Sequence, residues 1–137
     1  SMAEALLDAD VVIWFLRGDK ATAELIKKFQ LEGLPGCSAI TLFEIKAGMR
    51  PAEKQVTEAF LNSLTDYPVT AEIAEQAAEY YRALRAKGKT VDLPDLIVAA
   101  TAKAYDLVVV TYNTEHFPMA DLTLYPLSTP AGKPRRG

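Results

Sequence analysis

Short, wholly apolar runs alternate along this chain with segments of helical period, and that alternation leaves few folds open. Leu107 to Val110 is apolar at every position, the pattern of a central parallel strand covered on both faces. Ala5-Leu6-Leu7, Gly36 to Ala39 and Leu122 to Leu124 read as further short strands, with Tyr67-Pro68-Val69 as an edge strand. Between them lie helix-period segments. Ala21 to Glu32 carries Ala23, Leu25, Ile26, Phe29 and Leu31, and Gly33 marks its end. Thr41 to Ala47 stops at Gly48, and Ala52 to Leu64 sets Val56, Phe60 and Leu64 on one face. Ala71 to Ala86 repeats Ile73, Ala77, Tyr80, Tyr81 and Leu84 at three- and four-residue steps. Leu93 to Tyr105 is apolar almost throughout, which predicts a buried helix. Val11 to Arg17 is too short for periodicity to decide between strand and helix. Strands alternating with helices mean right-handed crossovers and a mostly parallel sheet, hence an α/β fold.

A length of 137 residues suits one domain, here 1–128, followed by a basic, flexible tail at 129–137. The tail holds Lys133, Arg135 and Arg136, so the net charge of −3 leaves −6 on the domain. That balance argues against a protein that coats duplex DNA. The single Cys excludes a disulfide framework and a Cys-rich zinc site, and the single His excludes a multi-His centre. Any metal chemistry must therefore use oxygen ligands. Ser1-Met2 reads as an added residue before a native start, and no signal peptide or membrane-length apolar segment is visible, so a cytoplasmic location is expected.

In parallel sheets, ligands bind beyond the carboxyl ends of the strands, and acids gather there in this sequence. Asp8 and Asp10 interrupt the apolar run from Ala5 to Leu16. A buried carboxylate needs partners, protonation or a cation. The second strand runs into Thr41 and Glu44, Asp92 and Asp95 open the apolar helix, and Leu107–Val110 runs into Thr111-Tyr112-Asn113. Helix capping is the plain alternative for each acid: Thr41-Leu-Phe-Glu44 matches a capping box, Asp92 and Asp95 can cap the helix they open, and Asp8 or Asp10 can cap one starting near Val11. Three acids at three strand-to-helix junctions favour a shared Mg²⁺ or Mn²⁺ site instead.

Four blocks carry a family resemblance. They are Leu6-Leu-Asp8-Ala-Asp10-Val-Val-Ile13, Ser38-Ala-Ile-Thr41-Leu-Phe-Glu44-Ile-Lys-Ala-Gly48, Leu93-Pro-Asp95-Leu-Ile-Val-Ala-Ala100-Thr-Ala102 and Val109-Val-Thr111-Tyr-Asn113-Thr-Glu-His-Phe117. In this order and spacing the chain resembles a PIN-domain ribonuclease, and among these the VapC toxins of toxin–antitoxin pairs. The resemblance spans residues 5–128. It implies a three-layer α/β/α PIN-like fold with a central, mostly parallel sheet of four to five short strands. It implies that Asp8, Glu44 and Asp95 hold divalent metal, with Asp8 and Asp95 as the direct anchors of Mg²⁺ or Mn²⁺. Glu44 would complete the shell or orient the attacking water. Family members often carry a fourth acid at the place of Asn113 or of His116; here Asn113 is the candidate, with Glu115 and His116 as alternatives. The implied activity is hydrolysis of single-stranded or structured RNA by metal-activated water, leaving 5′-phosphate and 3′-hydroxyl ends. A cognate VapB-like antitoxin and a homodimer are the implied partners, with no membrane. Trp14, Phe15 and Phe43 are candidates for the antitoxin groove.

RNA must also be held. Arg82, Arg85, Lys87 and Lys89 cluster just before Asp92 and are candidate phosphate contacts, with helix-end charge complementation as the alternative. Tyr80, Tyr81 and Trp14 are aromatic at spacings that favour core packing over base stacking. His116, beside Phe117, is expected to be structural or at the surface. Two other functions fit parts of the pattern. Leu6-Leu-Asp8-Ala-Asp10-Val-Val also resembles the signature of haloacid-dehalogenase-like phosphatases, with Asp8 as nucleophile and Asp10 as general acid. A non-catalytic PIN-like binding module is the other.

Overall fold

The structure is a computed structural model that describes residues 4–128 and 130. The expected tail at 129–137 therefore lies, but for Pro130, outside the described residues. Five strands form one sheet: β1 (Ala5–Leu7), β2 (Gly36–Ser38), β3 (Thr65–Tyr67), β4 (Val108–Val110) and β5 (Thr123–Leu124). Their order is β3-β2-β1-β4-β5 and every pairing is parallel. Six α-helices connect them among the described residues: α1 (Ala9–Leu16), α2 (Lys20–Glu32), α3 (Ala39–Gly48), α4 (Lys54–Asn62), α5 (Ala71–Ala86) and α6 (Leu93–Tyr105).

The period of two along each strand divides the core into two layers. Leu6 and Val109 face one way and pack with Ile73, Ala77, Tyr80 and Leu84 of α5 and the apolar length of α6. Ala5, Leu7 and Val110 face the other way, against Val11 and Val12 of α1, Ile26 and Phe29 of α2, Ile45 of α3, and Phe60 and Leu61 of α4. The sheet is thus covered on both faces, which is why β1 and β4 are apolar at every position. Register sets what lies side by side at the exit edge. Leu7 pairs with Val110, and the Asp8 N–H continues the ladder to the Val110 carbonyl at 2.9 Å, so residue 8 leaves the sheet beside residue 111.

Several boundaries differ from the sequence reading. Val11 to Leu16, which the sequence left open between strand and helix, lies in α1, because the Asp8 side chain accepts the Ala9 N–H and starts the helix at once. The third strand lies two residues earlier than expected, at Thr65–Tyr67, since Pro68 offers no amide to a ladder. Ala52 to Leu64 is a short 3-10 turn at Pro51–Glu53 followed by α4, and Val56 is solvent-exposed rather than on the inner face. Tyr81 is likewise exposed. The chain turns out of α6 through Asp106 at φ 55°, the left-handed geometry in which a short polar side chain is tolerated. Gly36 is required by close approach: a Cβ there would sit 2.5 Å from the Tyr67 ring and 2.8 Å from the Thr65 carbonyl.

Candidate metal centre at the carboxyl edge of the sheet

Five parallel strands point their carboxyl ends to one edge, and α6, joined to β4 by two residues, runs back so that its first turn returns to that edge. Asp8 leaves β1 there and is 1% exposed. One carboxylate oxygen accepts the Ala9 N–H at 2.9 Å, and the other accepts the Thr111 hydroxyl at 2.9 Å. Thr111 follows β4 directly; its oxygen also accepts the Asn113 N–H at 3.0 Å. The hydroxyl is thereby oriented from behind, with its proton committed to Asp8. Capping leaves the Asp8 carboxylate with lone pairs to spare, so the same side chain could also serve a cation.

Asp10 does different work. It is 2% exposed, and it accepts the Val11 N–H at 2.8 Å and the Tyr112 N–H at 2.9 Å. The Thr111 hydroxyl lies 3.5 Å away. Asp10 therefore ties the first turn of α1 to the exit of β4. The tie continues outward: the Tyr112 hydroxyl shares a 2.6 Å hydrogen bond with Thr22, which donates to Asp19, the N-cap of α2, at 2.7 Å. Both Asp10 oxygens serve backbone amides deep in the protein, which removes the general acid that a haloacid-dehalogenase-like reading requires. The sequence marked Asp10 as a buried acid in need of partners, but an amide about a hundred residues away leaves no local signal.

Glu44 lies in the second turn of α3, half-buried. The capping-box alternative for it is overturned. The helix begins at Ala39 with Ser38 as N-cap, whose hydroxyl oxygen accepts the Ile40 N–H at 3.2 Å. Thr41 is thus inside the first turn, and its buried hydroxyl has no hydrogen-bond partner. Asp92 occupies the N-cap position of α6 without a side-chain capping bond, and Pro94 fills the first turn, where its missing N–H is harmless. Asp95 follows, 7% exposed. Facing it is His116, whose Nδ1 is 3.4 Å from Asp95 Oδ2; Nε2 is 3.9 Å from Glu115 Oε1. His116 is thus drawn to the edge rather than left as an ordinary surface residue. Asn113 stands at the head of the 3-10 turn Thr114–His116 that brings it there, its backbone carbonyl accepting the His116 N–H at 3.0 Å.

A cleft of about 390 Å³ opens at this place, lined by Lys89, Asp92, Asp95, Glu115 and His116 together with Thr90, Val91 and Pro118. Of the four candidate RNA contacts, Lys89 alone lines it. Arg82, Arg85 and Lys87 are exposed on or just after α5, and Arg85 donates to the Tyr81 hydroxyl at 2.7 Å while stacking on that ring. Tyr80 is buried, and that burial, with the hydrogen bond it donates to Asp121, pushes its phenol well above the ordinary range. Trp14 is half-buried against Tyr112, Phe15 packs on Phe60, and Phe43 is exposed.

The donor chemistry suits a hard divalent cation: Asp8 and Asp95 offer carboxylate oxygens at a nearly dry edge. Among the described residues no three His, Cys, Asp or Glu side chains converge closely enough to enclose an ion. Asp8, Glu44 and Asp95 are the three acids that the sequence singled out for a shared ion. An ion here would complete its shell with water and substrate oxygens, as Mg²⁺ commonly does.

The PIN domain family profile matches residues 5–121. The chain belongs to the PIN-domain family. Ribonuclease VapC10 of Mycobacterium tuberculosis is 34% identical over 130 residues, covering 95% of this chain and 98% of that protein. Among solved structures, VapBC2 from Rickettsia felis, bound to a DNA fragment from its promoter, superposes with a TM-score of 0.81 at 19% identity, over 88% of this chain and 96% of that one. A toxin–antitoxin complex from Klebsiella pneumoniae contains a chain that superposes with a TM-score of 0.78 at 23% identity, over 92% of this chain and all of that one. These two structures bear out the expected three-layer PIN-like fold. No helix among the described residues is long and apolar enough to cross a membrane.

Proposed function

We propose that this PIN-domain protein is a divalent-metal-dependent endoribonuclease, the toxin of a toxin–antitoxin pair. The observation that carries it is the pair of buried carboxylates, Asp8 and Asp95, delivered by different elements to one sheet edge in a chain 34% identical to a named ribonuclease. Asp8 and Asp95 would hold Mg²⁺ or Mn²⁺, and Glu44 would complete the shell or orient the attacking water. A bound ion of this kind acidifies an attacking water and offsets charge on the scissile phosphate. The chain's own side chains do the rest. Thr111 fixes the Asp8 carboxylate, Lys89 draws RNA phosphate into the cleft, and Asn113 holds the turn that shapes its far wall. Hydrolysis leaves 5′-phosphate and 3′-hydroxyl ends. A VapB-like antitoxin is the natural partner, since the structural relatives include toxin–antitoxin complexes, and the half-buried Trp14 and Phe15 with the exposed Phe43 form its candidate contact surface. A homodimer in the cytoplasm belongs to the same proposal.

Expression in cells tests it. Wild type should arrest growth and produce discrete new RNA 5′ ends, whereas Asp95→Asn should be harmless at equal abundance. Growth arrest by the variant, or unaltered RNA in arrested wild-type cells, would refute the proposal.

A further inference from the structure

From Tyr80 to Val91 the chain carries Arg82, Arg85, Lys87 and Lys89 and no acid, in a domain that is otherwise acidic. All four cations are exposed, and none pairs with a carboxylate among the described residues, whereas Lys46 and Lys103 pair with Glu58 and Asp121. An aromatic ring stands among them. Tyr81 is 41% exposed, and Arg85, one helical turn on, donates to its hydroxyl at 2.7 Å and lays its guanidinium over the ring, 5.8 Å from the centroid. A turn at Gly88, with φ 75°, folds the chain back on the end of α5, so that the Lys89 N–H donates to the Leu84 carbonyl at 2.9 Å. Lys89, which lines the cleft, therefore lies beside the last turn of α5, which carries Arg85. Tyr81 is one turn further back, about 5.4 Å along the helix.

We propose that the Tyr81–Arg85 pair is a stacking platform for one unpaired nucleobase of a single-stranded RNA, outside the cleft, with Arg82 and Lys87 on the neighbouring phosphates and Lys89 leading the strand inward. Aromatic rings and guanidinium planes take bases on their faces, and they need the base splayed out of its own stack. Cations alone would serve any polyanion, a duplex or an acidic peptide included. A ring held in place among unpaired cations adds a surface that only an exposed base can use together with the charges. The contact between Tyr81 and Arg85 and the charge at the helix end also stabilise α5, but neither needs an aromatic face open to solvent. The course of the strand rests on the endoribonuclease reading above, and the platform narrows that reading to substrates unpaired beside the cut.

Fluorescence anisotropy of a labelled, unstructured RNA in EDTA reads binding apart from cleavage. Tyr81→Ala should weaken binding at least about fivefold, the lower end for loss of one base stack, and Tyr81→Phe, which keeps the ring, by less than about twofold. Replacing one base at a time by an abasic residue should reveal a position that weakens wild type to a similar extent and leaves Tyr81→Ala no worse. The same strand annealed to its complement should bind wild type and Tyr81→Ala alike. Wild type that binds no RNA, a Tyr81→Ala protein that binds single strands as wild type does, an equal loss on the duplex, or an abasic scan that weakens both proteins in parallel overturns the platform. Cleavage assays with Mn²⁺ separate the two readings. RNA hydrolysis with kcat/KM unchanged in Tyr81→Ala would remove this inference and leave the nuclease proposal standing, whereas Tyr81-dependent binding without any cleavage would do the reverse.

Discussion

Replacing Asp10 by alanine tests whether the two neighbouring acids divide their labour as the geometry indicates. The Asp10 carboxylate is 2% exposed and accepts the Val11 and Tyr112 amides at 2.8 and 2.9 Å. Hydrogen bonds to a charged group contribute about 1.5–3 kcal/mol each, and a donor stranded in the interior forfeits its hydration as well. Relief from burying a charge offsets part of that loss. A net destabilisation of about 3 kcal/mol follows from the two bonds. For a chain of 137 residues, an unfolding entropy of about 2.1 cal/mol/K per residue converts this to a fall in Tm of about 10 °C. Asp10→Asn keeps one acceptor and should fall by about half as much. Asp8→Asn retains an oxygen for the Ala9 amide and should unfold within about 3 °C of wild type while losing activity. Thermal unfolding followed by circular dichroism in EDTA measures all three. An Asp10→Ala protein that melts within about 2 °C of wild type would show that the tie between α1 and β4 is not what holds this edge together.

Gly36→Ala should destabilise by about 3 kcal/mol, the upper end for overpacking, because the new methyl meets a backbone carbonyl as well as the movable Tyr67 ring; chemical denaturation would detect it. Asp121 is held below its ordinary value of 3.8, first by the hydrogen bond from Lys103 and also by that from Tyr80. A depressed carboxylate pKa stabilises the folded state above the unfolded value and ceases to do so as pH falls through the folded one. Wild type should therefore melt above Asp121→Asn at neutral pH, with the gap closing as the buffer is taken below 3.8. A gap that widened in acid would contradict this. Lys89→Ala should raise KM for RNA several-fold, leave kcat nearly unchanged and lower the slope of binding against salt by about one contact; an unaltered salt slope would place Lys89 away from the phosphates.

The architecture was legible because it rests on local pattern. Apolar runs at Ala5–Leu7 and Val108–Val110 must be covered on both faces, and the intervening periodic segments supply the cover. The helix over Ala71–Ala86 was readable from its regular apolar stripe, and the structure adds the Thr70 cap that fixes its start. Val11 to Arg17 was ambiguous for the opposite reason: its start is set by one carboxylate accepting the next amide, not by periodicity. Among site residues, the sequence singled out Asp8, Glu44 and Asp95 through their places after strands and at a helix start. It did not show the pairing of Asp10 with the Tyr112 amide or of His116 with Asp95. Those contacts depend on strand register and on the turn after β4, which bring together residues far apart in the chain. The capping box at Thr41 misled because Ser38, three residues earlier, was available to cap first.

The central claim is that the Asp8 and Asp95 carboxylates at the sheet edge hold the ion needed for RNA hydrolysis. Purified wild type, Asp8→Asn and Asp95→Asn, incubated with a labelled single-stranded RNA in Mn²⁺, in Mg²⁺ and in EDTA, test it most directly. The account predicts cleavage to 5′-phosphate products by wild type with metal, none in EDTA, and at least about a hundredfold loss in both variants despite unchanged circular dichroism. Cleavage that persists in EDTA, or an Asp95→Asn protein as active as wild type, would contradict it.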